Sequence, residues 1–430
     1  MSVMSSQKQN PMVVLVCCDA LNRDWIDPVH TPVLSRLAAR GRWFAQHEAV
    51  FPSVTRVSAA SIATGCVPSR HGLHGNRMGL FEHGKVRVYD VGHPDFRHHM
   101  RRATGRTLKV PTLAERVAGM RGFVAMSNVS PGAAYFLDPD HFGTIYHRAG
   151  SFLPGGDPVP EADALDIGQD FDGDRQMTSR FCEEVLRARK PSVAVLWLAH
   201  PDATLHGAPL GSPAHLASLR HADACVSEVV TTVDALRDAG DDVLLIVGSD
   251  HGQETIGDSV DIEAWLGTQG LAAFVDRGDI AVAAQGTSAL IYATETGRPA
   301  FLGILDRLRE QTWVGAVETG ELLMRRGVST EEGVVAAIDM GYLAGGNDFG
   351  VRGKRWAAAE PGKVKTPGFG EHGGWGPDET RPFLIVQCGD GAAASVITRA
   401  TSLIDIAPTV LDFLGVPAPD MQGQSVLKFQ

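Results

Sequence analysis

Four short apolar runs each break off at polar residues: VVLVCC before Asp19, SVAVLWLA before His200-Pro201-Asp202, VLLIVG before Ser249-Asp250-His251, and PFLIVQCG near the C-terminus. Short runs rich in Val, Ile and Leu, without polar alternation, predict strands covered on both faces, as in a largely parallel sheet. Helices are predicted between them: HTPVLSRLAARG opening at Thr31-Pro32, PTLAERVAGMRG, and the long SPAHLASLRHADACVSEVVTTVDALRDAG. The predicted class is α/β, a mostly parallel sheet with helices on both faces. Between residues 268 and 365 the segments shorten, and stretches such as GYLAGGNDFGVRGKRWAAAEPGK are rich in glycine and turns. The organisation expected is a catalytic core in two parts, 1–267 and 366–430, interrupted by an inserted cap, 268–365.

Composition narrows the class of function. The chain has 430 residues, room for two or three units at roughly 150 residues each. Hydrophobic content of 44% and charged content of 21% are those of a globular protein rather than a disordered one. The net charge is −11, and the basic cluster RHHMRR (97–102) is short, so a nucleic acid polymer is not expected as a partner. The opening MSVMSSQKQNP is polar, and the apolar MVVLVCC stops at Asp19. Neither a signal-peptide core nor a membrane span is expected, so the expected location is cytoplasmic. The six cysteines show no C-x-x-C spacing and fall mostly in apolar runs, which predicts buried reduced thiols.

The chemistry gathers where the strands end. In a sheet of this kind ligands bind outside the carboxyl ends of the strands. Asp19 follows the first run, Asp202-Ala-Thr-Leu-His206 the second, and Asp250-His251 the third, while His372 sits in the glycine-rich GEHGGWGP. These carboxylates and imidazoles, without a thiolate, suit two zinc ions or a similar borderline pair, Mn²⁺ included. Two ions roughly 3.5 to 4 Å apart stabilise both the attacking and the leaving oxygen of an in-line displacement. Thr55 lies in AVFPSVTRVSAASIATG, where an extended FPSV meets a helical pattern ending at Gly65. A hydroxyl there can attack phosphorus while the helix's first N–H groups hold phosphoryl oxygens; the alternative is an ordinary N-cap threonine.

These residues, in this order, resemble the alkaline phosphatase superfamily, in its branch of nucleotide pyrophosphatases/phosphodiesterases and phosphonoacetate hydrolases. The resemblance runs from Asp19 to the closing TSLIDIAPTVLDFLGVPAPDMQGQSV. It implies an alkaline-phosphatase-like fold with one zinc on Asp202, His206 and His372 and another on Asp19, Asp250 and His251. Thr55 would be the nucleophile touching the second ion and forming a phosphothreonine, and Asn76 would hydrogen-bond a phosphoryl oxygen. The activity implied is phosphodiester or pyrophosphate-type hydrolysis of a small-molecule phosphate ester or phosphonate. A phosphomonoester or phosphonate hydrolase is the alternative within the superfamily. A non-catalytic metal-binding relative would lack a ligand or the nucleophile, and neither is missing. The sequence sets no oligomeric state, and a homodimer is compatible with it.

The chain also departs from that pattern. Diesterases of the branch commonly read T-F-P-N at the nucleophile, with the aromatic near a nucleobase, whereas Arg56 follows Thr55 here. Arg56 is close enough in sequence to reach a second phosphoryl oxygen, and the alternative is an arginine on the helix surface. LKVPTL (108–113) resembles phosphonoacetate hydrolases, but Ser127, Asn128 and Ser130 stand where those carry lysines. The CVPSR at Cys66 spells a sulfatase motif but follows the helix end instead of opening a helix, so Cys66 is read as a loop residue. Lys85, Arg87, His71 and His74 are near the site in sequence, and Trp375 is read as pocket-lining or packing.

Overall fold

The computed structural model describes residues 11–389 and 394–429. The opening residues read as a polar terminus, 1–10, lie outside them. The central sheet has eight strands, in the order 395–397, 42–44, 384–387, 243–248, 12–18, 193–198, 123–127, 144–147. All neighbouring pairs are parallel except those made by Leu384–Gln387, which is antiparallel to both neighbours. The four apolar runs are thus four strands of one sheet, side by side at its centre.

Burial on both faces explains their unbroken hydrophobicity. Val13, Leu15 and Cys17 face one core with Val57, Ile62 and Ile406, while Met12, Val14, Val16 and Cys18 face another with Leu34, Leu219 and Val226. The helix Thr55–Thr64 covers the first face, and Pro32–Arg40 and Pro213–Asp238 the second. Pro213–Asp238 starts where Ser212 caps the His215 amide. The helix expected over PTLAERVAGMRG is shorter, Leu113–Val117, because Thr112 caps it and the chain turns at once into the strand Phe123–Ser127.

A second, antiparallel sheet orders Ile280–Ala284, Ser288–Ala293, Val334–Met340 and Val314–Glu318, with its own core of Ile262, Phe301, Trp313 and Ile338. A third places Glu254–Asp261 between Arg352–Ala359 and Gly370–Glu371. That strand leads directly from Asp250-His251, and Gly370–Glu371 leads directly to His372. The added layers therefore grow out of the site's own loops. No helix among the described residues is long and apolar enough to cross a membrane.

His47 is fully buried, its Nδ1 3.0 Å from Thr401 Oγ1. Burial, reinforced by Arg23, pushes this imidazole down to about 3. A base held neutral in the fold contributes stability that is fully present above its unfolded value of about 6.5 and is lost as pH falls towards the folded value. His47→Gln should therefore flatten the acid side of the stability profile. Between pH 7 and 5 wild type should lose about 2 kcal/mol more than the variant in urea unfolding, and equal losses would mean that His47 takes up its proton as readily in the fold as in the unfolded chain.

Candidate active site

Every ligand residue inferred from the sequence sits just past a carboxyl end of the central sheet or on the loop facing it. Asp19 follows Met12–Cys18, and Asp250 and His251 follow Val243–Gly248. Asp202 opens the short helix Asp202–Leu205 after Val193–Leu198, with His206 as its C-cap. Main-chain bonds lock these ends together: the Ala20 amide donates to Asp250 Oδ1 at 3.2 Å, and the Asp202 amide donates to the Asp19 carbonyl at 3.1 Å.

The side chains converge. Asp202 Oδ1 lies 3.4 Å from His206 Nε2 and 3.6 Å from His372 Nε2. His251 Nε2 lies 3.6 Å from Asp19 Oδ1, 3.1 Å from Asp250 Oδ2 and 3.1 Å from Thr55 Oγ1. Asp202 adjoins both groups, since the ligand atoms of Asp19, Asp202 and His251 also lie within 4.8 Å of one another. His251 Nδ1 is 2.9 Å from the Gly252 carbonyl, and His372 Nδ1 is 2.8 Å from that of Ser53. A carbonyl only accepts, so Nδ1 carries the proton in both rings and each Nε2 turns a lone pair towards the carboxylates.

The electrostatics are those of a donor set that calls for cations. Burial, then the neighbouring carboxylates, pushes the Asp19 carboxyl well up, and the same two effects take Asp250 up to about 7. Burial and His251 take His372 down to about 4. His206 goes the other way: burial opposes its charge, but Asp202 outweighs burial and raises it to about 9, while Asp202 itself is held below the usual carboxylate range against its burial. Asp19 Oδ1 and Asp250 Oδ2 are buried without a hydrogen-bond partner among the described residues. Buried acceptors of this kind cost free energy unless something pairs them. A divalent cation in reach of carboxylate oxygens and imidazole nitrogens fits both groups.

Thr55 is not the N-cap. Val54 takes that position with extended backbone, and Thr55 is the first helical residue, leaving its hydroxyl free to face His251. Asn76 is held by Gln285, whose Oε1 accepts the Asn76 amide at 2.7 Å, and its own Oδ1 is buried without a partner among the described residues. Arg56 lies neither in water nor unattached. Its Nη1 donates to Asp90 Oδ1 and to the Asn76 carbonyl, both at 2.7 Å, and its Nε to Ser130 Oγ at 3.2 Å. Arg56 and Asn76 line a 220 Å³ cavity together with His206, His372, Arg77 and Lys365.

Other residues near in sequence point elsewhere. His71 bonds Ser61 Oγ at 3.0 Å, and buried His74 pairs with Glu332 and Tyr292. Lys85 and Arg87 lie on the hairpin strand Lys85–Asp90, exposed. Trp375 packs edge-on against Phe51, 4.9 Å between ring centroids. Asn128 donates to Asp174 at 2.9 Å, and Ser130 caps the Ala133 amide, so the 127–130 loop is occupied by the protein itself. Cys66 is buried after the Gly65 helix end. Sequence reading missed Trp197, whose Nε1 donates to Asp19 Oδ2 at 3.0 Å, and Gln285, Lys365 and Glu371. Only alternation in the strand, which turns Trp197 to the Asp19 side, offered a signal for any of them.

The fold is that of the alkaline phosphatase superfamily, and the family match indicates a hydrolase acting on phosphoesters. The chain belongs to the type I phosphodiesterase/nucleotide pyrophosphatase family, whose family model matches residues 13–312. Murine ectonucleotide pyrophosphatase/phosphodiesterase 5, in an inactive form in complex with AMP, shares the fold at TM-score 0.66 and 16% identity, over 96% of this chain and 98% of that one. Phosphonoacetate hydrolase from Sinorhizobium meliloti 1021 in complex with phosphonoacetate does so at TM-score 0.65 and 17% identity, over 94% and 96%. No curated protein matches the chain in sequence.

Proposed function

We propose that the chain hydrolyses phosphodiester or pyrophosphate-type bonds of small molecules with two bound zinc ions, Mn²⁺ being an alternative, and a phosphothreonine at Thr55. The observation that carries this is the convergence of Thr55 Oγ1, His251 Nε2 and the Asp19 and Asp250 carboxylates on one buried point. Asp202, His206 and His372 would hold one ion and Asp19, Asp250 and His251 the other. Such ions polarise phosphoryl oxygens and lower the pKa of bound hydroxyl groups.

The chain's own groups supply the rest. Thr55 Oγ1 bonds to phosphorus as the bond to the leaving oxygen breaks, and water then releases the product and restores the hydroxyl. First-turn N–H groups of Thr55–Thr64 lack intrahelical acceptors and are available to phosphoryl oxygens. Asn76 would donate to the same oxygens, and Gln285 holds it in place. Asn76→Ala should lower kcat on the order of 100-fold with little change in metal content, whereas a rate within a factor of two would remove Asn76 from the chemistry.

Metal analysis of purified protein, with turnover of bis-p-nitrophenyl phosphate against p-nitrophenyl phosphate in added Zn²⁺ or Mn²⁺, tests the reading. About two ions per chain and preference for the diester support it. Preference for the monoester would favour the second reading, a phosphomonoester or phosphonate hydrolase, which draws support from the cationic side chains facing the cavity. Absence of bound metal and of turnover would overturn both.

A further inference from the structure

The cavity beside His206 and His372 has a composition that the family label does not anticipate. None of the described residues lining it is Phe, Tyr or Trp. A nucleobase entering there would find no Phe, Tyr or Trp face to stack on. The wall is built from three cation–carboxylate pairs: Arg56–Asp90 at 2.7 Å, Arg77–Glu360 at 2.7 Å, and Lys365–Glu371. Their charges cancel, so the open hydrogen-bonding valences decide what fits.

Some of those valences are donors. Asp90 Oδ1 accepts from Arg56 and the Gly92 amide, Glu360 Oε2 accepts from Arg77 and Lys363, and Glu371 takes Lys365 on one oxygen and the His372 amide on the other. The cations have donors to spare. Lys365 Nζ has three N–H donors, and Glu371 is its one partner among the described residues. In the Arg77 guanidinium only Nη1 is engaged among the described residues. Arg77 follows Asn76 directly, and Lys365 lines the same cavity as His206. Both are partly exposed, the Arg77 side chain at 27% and that of Lys365 at 42%.

We propose that Lys365 and Arg77 form a subsite for a second anionic group, carboxylate or phosphate, on a short substituent of the substrate. The phosphorus would sit among Thr55, Asn76 and the ligand cluster, so the assignment rests on the phosphoesterase reading. It gives this chain small acidic phosphoryl compounds, not nucleotides, as its substrate class. Charge-assisted bonds from half-exposed cations are worth about a tenfold preference.

The test compares carboxymethyl p-nitrophenyl phosphate with its uncharged isostere, carbamoylmethyl p-nitrophenyl phosphate, and with the phosphoethyl ester. Wild type should favour the carboxymethyl or the phosphoethyl ester over the amide by about tenfold in kcat/KM, chiefly through KM, and the better of the two identifies the anionic group. Lys365→Met and Arg77→Met should bring that ratio close to one, and Lys365→Arg, which keeps the charge, should restore most of it. A ratio near one in wild type, or a ratio that both methionine variants preserve, would overturn the subsite. Calorimetric binding of the same esters to Thr55→Ala separates it from the chemistry: a tenfold affinity preference there, with no turnover of any of the esters by the wild-type protein, supports the subsite while the phosphoesterase reading falls, and equal affinities overturn the subsite.

Discussion

Thr55→Ala should abolish turnover, lowering kcat at least on the order of 1000-fold, while the metal content stays at the wild-type value. The hydroxyl is placed against the cluster, 3.1 Å from His251 Nε2, and it makes no capping bond whose loss would unravel the helix. The ligand side chains are held independently of it, by the Gly252 and Ser53 carbonyls, the Ala20 amide and Trp197. Metal analysis and turnover on the same preparation check both halves. A variant near the wild-type rate would take Thr55 out of the mechanism, and a variant that lost metal would make it a ligand whose other role stays unread.

Arg355→Met should cost the fold about 3 to 5 kcal/mol, because it strands buried carboxylates without their counter-ion. Arg355 is fully buried and pairs with Glu379, with Asp339 at 2.6 Å and, more loosely, with Glu254 at 3.7 Å. Burial and Glu379 push Glu254 up to about 8, so one cation suffices for three acids. Glu379 in turn accepts from Ser53 Oγ at 3.2 Å and from the Gly374 amide at 2.8 Å, groups that flank Thr55 and His372. Activity should fall with stability, and Arg355→Lys should recover part of both. The urea midpoint and kcat measured together check this, and a midpoint unchanged in the methionine variant would show that the acids are neutral without the arginine.

The sheet was legible because a strand buried on both faces must be continuously apolar, as VVLVCC, VAVLWL, VLLIVG and FLIV are. The acids and histidines that follow such runs are conspicuous for the same reason: the polarity changes abruptly where the sheet ends. Thr55 was legible as a helix start, although its exact place, first residue instead of cap, needed the backbone angles of Val54. The fate of Arg56 was not legible, since its partner Asp90 comes from a hairpin thirty-four residues on. Nearness in sequence left His71 and His74 unassigned, and their side chains turn into the protein towards Ser61 and Glu332.

The sequence by itself determined the fold class, and it picked out as one group the six acids and histidines that the structure brings together and the helix that carries Thr55, all of which depend on patterns within a few residues of one another. Only the tertiary structure decided what surrounds them. Gln285 reaches Asn76 across 209 positions, and Arg77 meets Glu360 across 283. Local periodicity carries no information about such pairings, because they form where added sheets fold back over the carboxyl ends of the core strands. The candidate centre is therefore written in short motifs, while the cavity wall beside it is set by contacts between distant segments.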